Sequence, residues 1–135
     1  MQLNIKKLGD LLATASAQKD AIDNAAGSAR ARYITTVAGQ AETYLRKSED
    51  ARRYIAAGET GDTSDYPWVE ADAEAFGLTP TQAAVAILEQ ESIWQSIGTN
   101  IERTRLGYKR KIDQATTTAQ INQIAREAIQ LLEAI

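Results

Sequence analysis

The groups able to do chemistry in this chain are carboxylates, hydroxyls and amines, because it contains no histidine and no cysteine. That excludes Ser-His-Asp and Cys-His nucleophilic arrangements within one chain, imidazole and thiolate metal centres, and disulfides. Acid–base work would therefore fall to carboxylates. Asp72 and Glu74, and likewise Glu89 and Glu91, stand two residues apart, a spacing that sets the members on different faces of a helix. A carboxylate metal bundle needs Glu-x-x-His motifs, which are missing. Asp62-Thr63-Ser64-Asp65 is too short and irregular for a calcium loop, and no phosphate-cradling or dinucleotide glycine pattern occurs. No catalytic, cofactor-binding or metal-binding residue is assigned, and no small-molecule substrate is expected.

Charge offers a second kind of chemistry. The formal net charge of -3 conceals an uneven layout. Between Arg53 and Arg103 no basic residue occurs, while Glu59, Asp62, Asp65, Glu70, Asp72, Glu74, Glu89, Glu91 and Glu102 all fall there. Arg103, Arg105, Lys109, Arg110 and Lys111 follow in quick succession. Such asymmetry can steer one copy onto another or onto a complementary partner, or can simply form solvated helix exteriors. The basic residues spread around their helix and the sequence pI is near 5.0, which argues against a nucleic-acid surface. No apolar run reaches bilayer-spanning length and no signal-cleavage pattern opens the chain, so a product made in a cytoplasm and not inserted in a membrane is expected.

The elements that must position these groups are helices. From Ile22 to Ile55, and again from Thr81 to Ala115, apolar or small side chains return every three or four residues. A helical arm over about Asn4 to Ala25 carries Ile5, Leu8, Leu12, Ala15 and Ile22 near one stripe, with Asn24 and Gly27 either marking a bend or lying within a continuous helix. A longer helix follows, striped by Ala29, Tyr33, Val37, Ala41, Tyr44, Ser48, Ala51 and Ile55 and widened by Ile34 and Leu45. Glu42–Arg46 and Glu49–Arg53 form i,i+4 pairs on its outer side, and Gly58 supplies its stop. After the polar loop Glu59–Ser64, a short helix is predicted with Pro67 in its first turn, Trp68 facing inward, and Phe76 ending the run before a left-handed Gly77 cap. Thr79 then caps the next helix, Pro80 takes its first position and Gln82 closes a capping box. Gly98, one turn below Trp94, either makes room for a crossing helix or is a tolerated interior glycine. Thr117 and Gln120 offer another capping box, opening a final amphipathic helix through Ile121, Ile124, Ala128, Leu131, Leu132 and Ile135.

The expected fold is all-α: an antiparallel helical bundle with long helices, one short bridging helix and an N-terminal helical arm. Residues 1–25 form the arm, a docking or oligomerisation segment, and residues 26–135 the bundle domain. Much of the 44% apolar content is alanine, which favours helix but removes little area from water, so self-association is expected. Ile5, Leu8, Leu11 and Leu12 are the leading partner contacts, because the arm has little local core. Tyr44, Tyr54, Tyr108, Leu132 and Ile135 are further interface candidates. Tyr33, Trp68, Phe76 and Trp94 are assigned to structure, with core packing expected of Trp68, Phe76 and Trp94; Gly77, Thr79 and Pro80 form the structural junction.

Residues Arg32-Tyr33-Ile34-Thr35, Gly39-Gln40, Thr43-Tyr44, Lys47, Ala51-Arg52-Arg53-Tyr54, Tyr66-Pro67 and Ala71 resemble a helical module of tailed-bacteriophage tail and tail-fibre-associated proteins. The resemblance continues through Gly77-Leu78-Thr79, Ala83 to Ile87, Trp94, Ile101-Glu102, Arg105 and Ile112, covering roughly residues 28 to 118. It implies a structural role with no catalytic residues to carry over. It further implies a tail, baseplate or fibre-associated adaptor in the virion, partnered by other phage structural proteins and by copies of itself. The chain lacks a receptor-binding or β-rich region, so a small adaptor fits better than a fibre. A phage assembly factor or chaperone absent from the mature particle is the alternative, and a phage or bacterial regulator a weaker one.

Overall fold

The computed structural model describes residues 4–33, 40–60 and 62–135, and every regular element among them is an α-helix. α1 spans Ile5–Ala31, α2 Gln40–Ala56, α3 Pro67–Phe76, α4 Pro80–Gln114 and α5 Thr118–Glu133. Together they make the all-α bundle that the periodicity predicts. The chain divides into two compact units, and α4 contributes to both. One unit holds α1, α5 and α4 from Ile97 onward; the other holds α2, α3 and α4 through Ser96. No helix among the described residues is long and apolar enough to cross a membrane.

Helix starts follow local chemistry closely. Asn4 accepts from the Lys7 amide at 3.0 Å and opens α1. At α4 the Gln82 amide donates to Thr79 Oγ1 at 3.1 Å, and the Thr79 amide donates to Gln82 Oε1 at 3.0 Å. Thr117 and Gln120 repeat this reciprocal pair at α5. Gly77 closes α3 in the left-handed region, φ 65°, where a side chain would be strained.

In the first unit Ile22, Ala26, Ala29, Ile101, Ile112, Ile121, Ala128 and Leu132 form one buried core. Each buried isoleucine or leucine contributes about 1.5–3 kcal/mol relative to exposure, and the interleaved alanines let α1 and α5 pack in close contact. α1 and α4 run antiparallel, and charge pairs hold their register. Lys19 pairs with Asp113, Asp23 with Lys109 and Arg105, and Arg30 with Glu102, so ascending positions on α1 meet descending ones on α4. Two members of the basic run are thus committed inside this unit, while Arg103, Arg110 and Lys111 stay exposed. The Gln18 amide donates to Asn122 Oδ1, and Arg32 donates to the Leu132 carbonyl, so α5 lies parallel to α1.

Two open alternatives are decided here, and one expectation is corrected. The bend at Asn24–Gly27 does not occur: α1 passes through both and ends at the Arg32 cap. Asn24 and Gly27 face solvent, while Ile22, Ala26 and Ala29 on the opposite side are fully buried, and that burial outweighs the weak local breakers. In consequence Ala29 belongs to α1, and the stripe from Ala29 to Ile55 is not one helix; Tyr33 lies just past the cap, and Ile34 and Val37 lie outside the described residues. Gly98 makes no room for a crossing helix either, since a Cβ there would meet nothing within 4 Å.

Two outcomes follow for this framework. Gly98→Ala should stabilise the fold by about 0.5–1 kcal/mol, read as a raised denaturation midpoint, because helical glycine costs backbone entropy and space is open. The hydrogen bond from Lys109, helped by Arg105, holds the Asp23 carboxyl below its usual range. A lowered folded-state pKa adds stability that is complete above the unfolded-chain value of about 3.9 and is lost as pH falls through the folded value. Wild type should therefore exceed Asp23→Asn in melting temperature at neutral pH, with the gap closing only below about pH 4.

Candidate functional site

In the second unit α2, α3 and α4 pack around Ala51, Tyr54, Val69, Ala73, Ala83, Ala84 and Ile87. Above this core the three helices leave a groove of about 270 Å³. Its residues follow from helical spacing. α2 presents Tyr44, Lys47 and Ser48; α3 presents Asp72 and, one turn on, Phe76; α4 presents Ala83, Ala86, Ile87, Gln90, Glu91 and Trp94. Leu78, between α3 and α4, completes the lining. Tyr44 meets Trp94 edge to face, with an interplanar angle of 72°.

The position of α3 depends on one buried carboxylate. Tyr66 occupies the N-cap of α3 and makes no side-chain cap bond. Asp50, on α2 and only 4% exposed, supplies the cap from a distance, accepting from the Trp68 amide at 2.9 Å and the Val69 amide at 3.1 Å. A negative group there also meets the positive end of the α3 dipole. Arg53 reinforces the junction: it donates to the Asp65 carbonyl at 2.8 Å and lies 5.1 Å from the Tyr66 ring centroid. Tyr54 stacks edge-on against Tyr66, and its hydroxyl lies 3.3 Å from Thr81 Oγ1 at the start of α4. The Glu42–Arg46 pair forms as expected, whereas Arg53 turns to the α3 junction.

The polar groups at the groove are engaged in ion pairs. Lys47 Nζ lies 2.9 Å from Asp72 Oδ1, and Arg52 pairs with Glu91 across from α2 to α4. These bridges span the groove's walls and hold them at a fixed separation. Among the described residues no group of three or more Asp and Glu side chains is placed to hold a metal. Phe76, by contrast, is 71% exposed at the groove mouth. What the arrangement offers is an apolar floor, aromatic walls and charged edges, the composition of a protein-contact anchor pocket.

The sequence candidates distribute unevenly. Tyr44, Phe76 and Trp94 come together here, but Phe76 is a surface residue and not the core residue expected: it shares the face of Val69 and Ala73, yet as the last residue of α3 it stands at the groove mouth, beyond the packed core. Trp68 is half-buried at the first turn of α3. Tyr54 and Leu132, expected as interface candidates, are buried in the chain's own cores. Tyr108 and Ile135 are half-buried against the core of the first unit, as is Leu11. Ile5, Leu8 and Leu12 are exposed. Asp50 was not legible as a cap; the available signal was the lack of a Ser, Thr, Asp or Asn at position 66, which leaves the α3 amides in need of a distant acceptor. No family model, curated protein or solved structure matches this chain.

Asp50→Ala should destabilise the protein by about 1.5–3 kcal/mol in chemical denaturation, since two amides lose a charged acceptor. Asp50→Asn, which keeps an amide oxygen, should lose less.

Proposed function

We propose that this chain is a non-enzymatic structural component of a phage virion, an adaptor of tail, baseplate or fibre-associated type that joins protein subunits through its helical surfaces. The observation carrying the adhesive part of this reading is the α2–α3–α4 groove. A large aromatic side chain left 71% exposed beside an apolar, ring-walled depression is what a protein contact covers and a reactive pocket does not require. The phage assignment rests on the resemblance of residues 28 to 118 to tail-associated helical modules. Its setting is the assembled particle, reached after synthesis in the host cytoplasm.

Quantitative mass spectrometry of gradient-purified particles from the encoding phage tests this. The expected outcome is a fixed copy number per particle, retained through salt washing. Absence from finished particles, with recovery only in assembly intermediates, would replace the virion reading with a transient assembly factor.

A further inference from the structure

The first turns of α1 carry an apolar stripe with nothing over it. Ile5 is 77% exposed, Leu8 42% and Leu12 62%. Their i, i+3, i+7 spacing is that of an amphipathic helix laid into a groove. The reason for their exposure lies in the unit itself. α5 begins only at Thr118, and Gln18 of α1 already meets Asn122 near its start, so the opening turns of α1 extend past the α4–α5 connection. Lys6 and Lys7 sit among these residues, exposed and in no ion pair among the described residues.

The groove of the other unit has the complementary character. Its apolar depression is open at Phe76, and the two acids that line it, Asp72 and Glu91, are paired with Lys47 and Arg52 of α2. α3, and α4 as far as Ser96, contain no basic residue; Glu74 and Glu89, two positions from Asp72 and Glu91, are exposed on the outer faces of these helices, away from the groove and without an ion pair among the described residues. The charge of the whole chain divides the same way. The unit of α1, α5 and the later part of α4 holds eleven basic and seven acidic residues, a formal +4; the other holds four basic and eleven acidic, a formal -7.

We propose that the groove's occupant is the start of α1 from a second copy of this chain, so that copies join head to tail. Ile5, Leu8 and Leu12 enter against Phe76 and Trp94, and the net positive unit that carries Lys6 and Lys7 is drawn to the net negative unit that holds the groove. This rests on the reading of the groove as a protein-docking surface and names what docks there. A symmetric meeting would oppose lysine to lysine or acid to acid, whereas the head-to-tail contact pairs unlike charges. Such a heterologous contact propagates, closing into a ring or extending as a filament.

The test uses the full chain in sedimentation equilibrium across a concentration series. Wild type should self-associate, and more weakly as salt rises from about 0.1 M to about 1 M, where screening shortens from ~10 to ~3 Å. Leu8→Asp with Leu12→Asp, Lys6→Glu with Lys7→Glu, and Phe76→Asp alter only exposed positions, and each should weaken association at least tenfold with helicity by circular dichroism retained. An equimolar mixture of the Leu8/Leu12 and Phe76 variants should form dimers and nothing longer, because one intact stripe meets one intact groove. A wild type that stays monomeric throughout, a Phe76 variant that assembles like wild type, or a mixture that stays monomeric would each overturn the proposal. A monomeric chain still present in purified particles would overturn the self-docking alone. A self-associating chain absent from particles would overturn the virion reading alone.

Discussion

The Asp50 carboxylate holds together everything that makes the second unit more than a pair of helices. α3 is ten residues long, too short to be stable by itself, and its first residues include a proline and no side chain able to cap. Its start is tied down because Asp50 reaches from α2 and receives two of its free amides. That fixes the direction in which α3 leaves the junction, and hence where Asp72 and Phe76 emerge one turn apart at the groove. The bond is worth more for being buried, since its donors and its acceptor would otherwise face an environment that cannot solvate them. Arg53 and the Tyr54–Tyr66 pair close the same corner from outside.

The first unit solves a different problem. Its core sets five large aliphatic side chains among three alanines, which gives close helix approach but little direction as to register. Charge supplies that direction. Asp23 sits between Lys109 and Arg105, with Lys19–Asp113 and Arg30–Glu102 on either side along the same pair of helices. Individual exposed pairs stabilise little, yet a shift of α1 along α4 would break all of them and leave like charges adjacent. The basic run of α4 thus has two parts, one consumed by the fold and one presented outward.

The two units differ in what they leave for other molecules. One ends in an exposed, lysine-bearing helical stripe; the other opens an aromatic groove whose acids are held in ion pairs. Both features are exposed apolar surface, and both suit adhesion between proteins. Opposite charge on the two units favours encounter in one orientation, which is a requirement for ordered assembly and not merely for stickiness.

Local signals in the sequence accounted for the helical class, the Thr79 and Thr117 capping boxes, the Gly77 stop and the Pro67 start, because capping and periodicity act over three or four residues and leave their mark at that range. They did not decide whether α1 continued through Gly27, since the deciding term was burial of Ala26 and Ala29 against residues some 70 to 100 positions away. Nor could they sort Tyr44, Tyr54, Phe76 and Leu132 into surface and core: each lies on an apolar stripe, and a stripe reveals its period but not which of its members a neighbour covers. The sequence by itself determined that amphipathic helices form and where most of them start. Only the tertiary structure decided that Asp50 caps a distant helix, that Phe76 stands in solvent and that Arg105 and Lys109 of the basic run are committed to Asp23, because packing and Coulomb forces act through space between residues the chain order keeps apart.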